Sequence, residues 1–429
     1  MNYIDRELLD EIKKWIDRKE IIAIRGPRQS GKTTLLKMLI PWLKTEKGAD
    51  EKHIIYVSFE DRERLEEFYI NPKDFISRYV LDDDKHFFLL DEAQYCLGLG
   101  QKLKLLYDLF ENVKFIITGS SSLELKNQTG KFLVGRILEF ELSPLNFYEF
   151  LAFKDEGLSK TYRPWKRKLD LLIAGKRNGF EIKKSGEIFT DELSGYLDEF
   201  ILFGGFPAVV LAKTKEEKIL VLKNLINTYI DRDIATFLQI TDTIKFRRLI
   251  TTLASLNGSM LRLDRLSNEV GSYFKEMSKL LDALEQTYII RRISPYHKNL
   301  VTELKKEQKV YFVDTGLRNM LIENFSAMDK RPDAGILAEN FVLNEVHLKA
   351  KLHFWRTTSK TEVDFIATGV KLLPIEIKFQ RFWKPEGTRS LYGFLDEYGP
   401  RTCLVITKDF WGKKVFKKSN IIFLPIVYV

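Results

Sequence analysis

The stretch Gly26-Pro27-Arg28-Gln29-Ser30-Gly31-Lys32-Thr33, GPRQSGKT, follows the run EIIAIR (20–25) and precedes TLLKMLI (34–40). Residues 21–24 are apolar and rich in β-branched side chains, the pattern of a buried strand, whereas residues 34–42 carry apolar positions at helical spacing. A glycine-rich turn between strand and helix lets backbone N–H groups close around a phosphate at the helix N-terminus. In that arrangement Lys32 reaches the β- and γ-phosphates and the Thr33 hydroxyl ligates Mg2+. The expected nucleotide-binding residues are therefore Gly26, Pro27, Arg28, Gln29, Ser30, Gly31, Lys32, Thr33 and Thr34.

A phosphate loop of this kind calls for a second element, an acidic residue closing an apolar strand. HFFLLDEAQ (86–94) supplies it. Residues 87–90 read as a strand buried on both faces, Asp91 is expected on the metal, and Glu92 is placed to orient or deprotonate a water. VKFIITGSSS (113–122) reads as a further strand ending in hydroxyls. Ser120, with Thr118 as second choice, is expected on the γ-phosphate or the water; a serine there can equally be a helix N-cap. Arg136 follows Gly135 and precedes another strand-like run, 137–142. A mobile arginine near the γ-phosphate neutralises transition-state charge; a surface arginine after a glycine turn is the plainer reading.

A chain of 429 residues with 45% hydrophobic content has room for several cores. No run of 18 uninterrupted apolar residues is present, so no membrane span is expected. The N-terminus, MNYIDRELLDEIKKW, is charged and amphipathic rather than secretory, and a cytoplasmic protein is expected. Cys96 and Cys403 stand far apart, and the five histidines show no ligand spacing with them, which argues against a disulfide framework or a structural zinc site. Net charge is +9, and nine basic residues against two acidic ones fall between Lys160 and Lys184. That run is either a phosphate-backbone contact or a solvated insertion.

Between 150 and 325 the chain reads as mainly helical. Residues 263–270 make a short helix, 271–272 a turn and 274–286 a longer helix; 288–293 and 309–313 read as two strands joined by a polar loop. That is a winged-helix rhythm, in which the second helix would offer Lys275, Ser278 and Lys279 to a groove; such modules also serve as packing units. Further on, GILAENFVLNEV (335–346) reads as a helix carrying Glu339, and residues 363–366 form a strand around Asp364. In the next strand, 372–379, Glu376 and Lys378 are two apart and so face the same side. Two carboxylates and a lysine converging on one spot suit a metal-dependent phosphodiesterase, with Glu339 completing the shell and Mg2+ or Mn2+ as the cation. A surface salt-bridge ladder is the alternative.

The order GPRQSGKTTLL, FFLLDEAQ, FIITGSSS, GRILEFELSPLNFYEF, GGFPAVV, YIDRDI and GILAENFV…EVDFI…PIEIK resembles the uncharacterised AAA-type ATPases of archaea and bacteria. The resemblance covers nearly the whole chain, with 160–184 as an insertion. It implies an ATPase domain, a winged helix and a PD-(D/E)XK-like C-terminal domain, with ATP and Mg2+ at residues 26–33, 91 and 92, and Asp364, Glu376 and Lys378 on the nuclease-like signature. The expected fold is thus α/β. A P-loop NTPase (AAA-type) parallel sheet spans 1–150, a helical region with the basic insertion 151–240, a winged helix 241–325, and a restriction-endonuclease-like α/β domain 326–429. Two functions compete: an ATPase that engages DNA with weak sequence preference and carries a nuclease-like domain, active or not, and a nucleotide-dependent switch that binds a protein and never touches nucleic acid. ATP and ADP are ligands in both, and a homo-oligomer is compatible with either.

Overall fold

Five short apolar runs, each parallel to its neighbours, make the first sheet. They are β1 (Ile21–Arg25), β2 (Ile54–Ser58), β3 (His86–Asp91), β4 (Val113–Gly119) and β5 (Ile137–Glu141), in the order β2-β3-β4-β1-β5. Side chains alternate between two cores. Ile21, Ala23, Phe88 and Leu90 face one, with Phe68, Phe75, Leu99 and Leu103. Ile22, Ile24, Phe87 and Leu89 face the other, with Leu35, Leu36, Leu39 and Leu43 of the Lys32–Glu46 helix. Burial on both faces is why these strands read as continuous apolar runs. The sheet order sets the ends of β1 and β3 on either side of β4, so the phosphate loop and the acidic pair leave the sheet on the same edge.

This computed structural model describes residues 3–119, 132–176, 190–228, 242–297 and 307–429. Ser120, the whole of YIDRDI (229–234), and the basic residues 177, 183 and 184 lie outside them. The contacts draw two compact units: residues 1–145 with 282–289, and residues 146–281 with 290–429. The helical region and the C-terminal sheet, expected as separate segments, thus share one unit. No helix of the described residues is long and apolar enough to cross a membrane.

The second unit opens with the Phe147–Lys154 helix, started by a capping box in which Asn146 and Glu149 satisfy each other's backbone N–H groups. The Glu156–Ile173 helix follows and buries Tyr162, Lys166, Leu169 and Ile173 on one face. Further along, the helices Leu263–Val270 and Phe274–Gln286 are followed by β6 (Ile290–Ile293) and β7 (Lys309–Phe312), an antiparallel pair. The first of these helices ends on Gly271, whose φ of 75° is left-handed and suits glycine.

The unit's larger sheet has six strands: β8 (Lys351–Arg356), β9 (Glu362–Thr368), β10 (Leu373–Lys378), β11 (Thr402–Thr407), β12 (Gly412–Phe416) and β13 (Ser419–Pro425). Their order is β12-β13-β11-β10-β9-β8. β9 and β10 are antiparallel, with Ile375 opposite Phe365. One further step in that register sets Glu376 opposite Asp364, on one face. β10 and β11 are parallel, linked through the Arg389–Tyr398 helix. The Ala334–Val346 helix carries Glu339.

Candidate functional site

Backbone constraints fix the shape of the phosphate loop. Gly26 sits so close to Leu142 that a Cβ would lie 2.1 Å from its carbonyl oxygen. Gly31 takes a φ of 95°, which only glycine adopts cheaply, and opens the Lys32–Glu46 helix. From the N-terminal segment, buried Arg6 donates to the Ser30 carbonyl and to that of Ser143, both at 2.7 Å. Lys32 is 3% exposed and donates from Nζ to the carbonyls of Gly26 (3.1 Å) and Pro27 (2.8 Å). Burial pushes its ammonium down to about 8, against the pull of Glu92 and Asp91 in the other direction. Thr33 and Thr34 follow in the first turn, partly buried.

Asp91 closes β3 and is held on both oxygens. Tyr56, on β2, donates its hydroxyl to Oδ2 at 2.8 Å, and Thr118, on β4, donates to Oδ1. The Thr118 hydroxyl also accepts the Glu92 N–H at 3.0 Å. Glu92 turns through a left-handed φ of 52°, and Gln94 donates to its Oε2. Burial, with the Asp91 hydrogen bond, drives the Tyr56 phenol well above its usual range, so it stays a donor. Arg28 contacts the Tyr95 hydroxyl at 3.1 Å. Lys32, Asp91 and Glu92 are thus electrostatic neighbours, as phosphate and Mg2+ chemistry needs.

Two expectations meet the structure here. The Thr118 hydroxyl, the second choice for the γ-phosphate or the water, is engaged by the acidic pair: it donates to Asp91 and accepts the Glu92 N–H. Arg136 stands at the wrong end of the sheet within its own chain. Its carbonyl accepts the Ile21 N–H at 2.8 Å, at the start of β1, whereas the phosphate loop follows the end of that strand. Four residues of strand separate the two, about 13 Å. Arg136 instead pairs with Asp108 at 3.3 Å and lies over the Tyr107 ring.

The basic run also differs from expectation. Lys166 points inward, 4% exposed, with Nζ 3.6 Å from Glu345 and 4.0 Å from Asp170. Lys160 pairs with Glu156, Arg163 lies over Tyr148, and Lys168 over Trp165, which itself packs against Trp411 and Tyr428. Helical periodicity sets these positions along the Glu156–Ile173 helix. On the Phe274–Gln286 helix, Lys275 and Lys279 are exposed and Ser278 half-buried, beside exposed Tyr273 and Phe274.

In the second unit, the structure brings Asp364, Glu376, Lys378 and Glu339 into one buried cluster. Lys378 Nζ lies 2.7 Å from Glu376 Oε1 and 3.8 Å from Asp364 Oδ2. Asp364 Oδ2 accepts the Ile377 N–H at 2.6 Å, and Thr388 donates to Glu376 Oε1 at 3.1 Å. Glu376 Oε2 is buried with no hydrogen-bond partner. Burial raises Asp364 well above the carboxylate range, and Glu376 and Glu339 raise it further. Burial likewise raises Glu376, with Lys378 opposing. Two residues join this cluster that the sequence did not single out. Tyr311 donates to Glu339, and Lys309 Nζ lies 3.2 Å from the same carboxylate and also pairs with Glu362. Burial alone would lower Lys309, but Glu339, Glu362 and Asp364 outweigh it and raise it. An orphaned buried carboxylate oxygen among three acids fits a divalent cation, which the lysines only partly replace.

Residues 18–151 match the model described as an AAA domain. Residues 194–328 and 334–428 match two domains of unknown function, DUF8612 and DUF4143. An uncharacterized protein of Haemophilus influenzae is 26% identical, over 99% of this chain and 97% of its own length. One of Mycobacterium tuberculosis is 24% identical, over 90% of this chain and 76% of its own. Among solved structures, the Aeropyrum pernix ORC2 protein in its ADP form aligns at 10% identity over 76% of this chain and 97% of that one, with a TM-score of 0.35. The parallel five-stranded sheet with its phosphate loop falls within the residues that match the AAA domain model.

Proposed function

We propose that the chain is a Mg2+-dependent ATPase that engages DNA and carries a metal-dependent phosphodiester site in its second unit. The observation that supports hydrolysis best is the clamping of Asp91 between the Tyr56 and Thr118 hydroxyls, beside buried Lys32. Thr33 and Asp91 would hold Mg2+, whose charge offsets that of the β- and γ-phosphate oxygens. Lys32 binds those oxygens, and Glu92, steadied by Gln94, orients the attacking water. Phosphate release from ATP and Mg2+ tests this. Lys32→Ala should lose nucleotide binding or turnover, and Glu92→Gln should bind ATP yet not hydrolyse it. Wild-type turnover in Glu92→Gln would remove Glu92 from the role of base.

In the second unit, Asp364, Glu376 and Glu339 would hold Mg2+ or Mn2+, a Lewis acid towards a phosphodiester. Lys378 would steer the water or the developing charge. Cleavage of plasmid DNA under Mn2+, lost in Glu376→Gln, supports this; no cleavage by either protein leaves the ATPase reading and ends the nuclease one. One observation favours a second reading, a nucleotide-dependent switch that binds a protein. The inward turn of Lys166 removes a cation from the basic surface expected to meet phosphates. A salt-dependent electrophoretic shift with duplex DNA separates the two, because phosphate contacts weaken steeply as salt rises.

A further inference from the structure

At the opposite end of the first sheet from Asp91, two imidazoles and a carboxylate converge. His53 immediately precedes β2 and His86 opens β3. Because Ile54 pairs with Phe87, the two histidines occupy matching places on adjacent parallel strands. Their rings meet edge to face, 4.6 Å between centroids. Asp82 arrives on the loop before β3, and one ligand atom from each of the three residues lies within 4.8 Å of the others. His53 Nε2 is 3.0 Å from Asp82 Oδ2, and His86 Nε2 is 3.7 Å from Asp82 Oδ1. In a tetrahedral zinc site with bonds of about 2.0 Å, ligand atoms stand roughly 3.3 Å apart, which these two separations bracket.

The hydrogen bonds set the tautomer of one ring. His86 Nδ1 lies 2.8 Å from the Asp84 carbonyl oxygen, which can only accept, so Nδ1 carries the proton. A neutral His86 therefore turns the lone pair of Nε2 towards a carboxylate oxygen, an unfavourable contact that a proton or a metal cation between them would resolve. A backbone carbonyl fixing the outer nitrogen is also the usual support for a metal-ligating imidazole. The loop is fixed too. Asn112 donates to the carbonyls of Asp82 (3.1 Å) and Asp84 (3.0 Å) and accepts the His86 N–H at 2.9 Å. Both imidazoles are buried, whereas the Asp82 side chain is 34% exposed and opens a route for the ion and one water.

We propose that His53, Asp82 and His86 form a binding site for a zinc-type transition-metal ion. Two nitrogens and one carboxylate suit zinc better than Mg2+ or Ca2+, which prefer all-oxygen shells. On binding, the ion takes the place of the hydrogen between His53 Nε2 and Asp82; the neutral ring then carries its single proton on Nδ1, and a proton leaves to solvent only from a ring that was doubly protonated. Lys52, which pairs with Asp82 Oδ2 at 3.0 Å, is largely exposed and swings away at little cost. The ion would tie edge strand β2 to β3, the strand that ends on Asp91. It would therefore act as a staple on the ATPase domain and take no part in catalysis.

The test is calorimetric titration of ZnCl2 into the metal-stripped full chain without nucleotide. One zinc equivalent should vanish in Asp82→Ala and in His53→Gln, and persist in Asp364→Asn, whose lesion lies in the other unit. Zinc should also raise the melting temperature of the wild-type chain but not of Asp82→Ala, a surface change that leaves both buried rings in place. Zinc uptake and thermal shift unaltered in Asp82→Ala would overturn the proposal. So would an absence of zinc heat in the wild-type chain, which would assign the cluster to a proton shared between His86 and Asp82.

Discussion

Replacing Lys166 with alanine should loosen the second unit rather than weaken its grip on a nucleic acid. The Lys166 side chain is 4% exposed and that of Glu345 3%, with 3.6 Å between Nζ and Oε2. Removing one partner of a buried ion pair costs about 3–5 kcal/mol, because the other charge stays buried. Two contacts soften the loss: Glu345 Oε1 keeps the Phe147 N–H at 2.8 Å, and Asp170 keeps Lys349 at 3.1 Å. The expected cost is therefore at the low end, about 3 kcal/mol. With a urea slope of about 2 kcal/mol/M, the midpoint falls by about 1.5 M. Tryptophan fluorescence follows it, since Trp165 packs against Trp411 and Tyr428 within this unit. Arg167→Ala, at an exposed position on the same helix, should change stability by less than about 0.5 kcal/mol. Duplex binding at low urea should be the same for Lys166→Ala and wild type. If Lys166→Ala melts with the wild type and binds duplex DNA more weakly, the burial argument is wrong and Lys166 is a phosphate contact.

Two further outcomes follow from the sites. Thr118→Val keeps the shape of a fully buried side chain but leaves the Glu92 N–H without its acceptor and Asp91 without one donor. Stability should fall by about 1–3 kcal/mol and kcat by about tenfold for each 1.4 kcal/mol lost in the transition state, with ATP still bound; steady-state turnover and a melt on one preparation read both. In the second unit, burial holds Asp364 and Glu376 above the carboxylate range, so each binds a proton more tightly folded than unfolded. Their contribution to stability is then full below the ordinary carboxylate range and is lost as pH rises through the raised values. Asp364→Asn should accordingly gain on the wild type as pH rises, in metal-free urea melts across that window, and Mn2+ should narrow the gap by stabilising only the wild type. A difference independent of pH would refute the assignment of raised acidity.

Local pattern carried most of what the sequence made readable. The phosphate loop and HFFLLDEAQ announce themselves because each is a buried parallel strand followed by chemistry, and two-residue alternation alone sets Glu376 and Lys378 on one face. The basic run misleads because charges are counted without the period of the element bearing them. Tyr162, Lys166, Leu169 and Ile173 fall at i, i+4, i+7 and i+11, a helix face that turns inward, so Lys166 was legible as a buried position. Arg136 was legible in the same sense. It comes before an apolar run, at the start of a parallel strand, whereas ligands of open α/β sheets gather beyond the strand carboxyl ends.

What stayed hidden is the set of residues that hold the chemical ones. Tyr56 and Thr118 clamp Asp91 from neighbouring strands, Arg6 props the phosphate loop from 24 residues upstream, and Lys309 and Tyr311 hold Glu339 from about 30 residues away. Each is an ordinary strand or helix residue by type, and only strand order brings it to its site. His53 and His86 make the point most sharply. No ligand spacing links positions 33 apart, and the pair exists because β2 and β3 run parallel in a register that seats both rings one step before Ile54 and Phe87. Parallel pairing demands a long crossover between partners. In such a sheet, therefore, groups sharing one site are necessarily far apart in sequence, and local spacing rules will miss sites built across strands while finding those built along one.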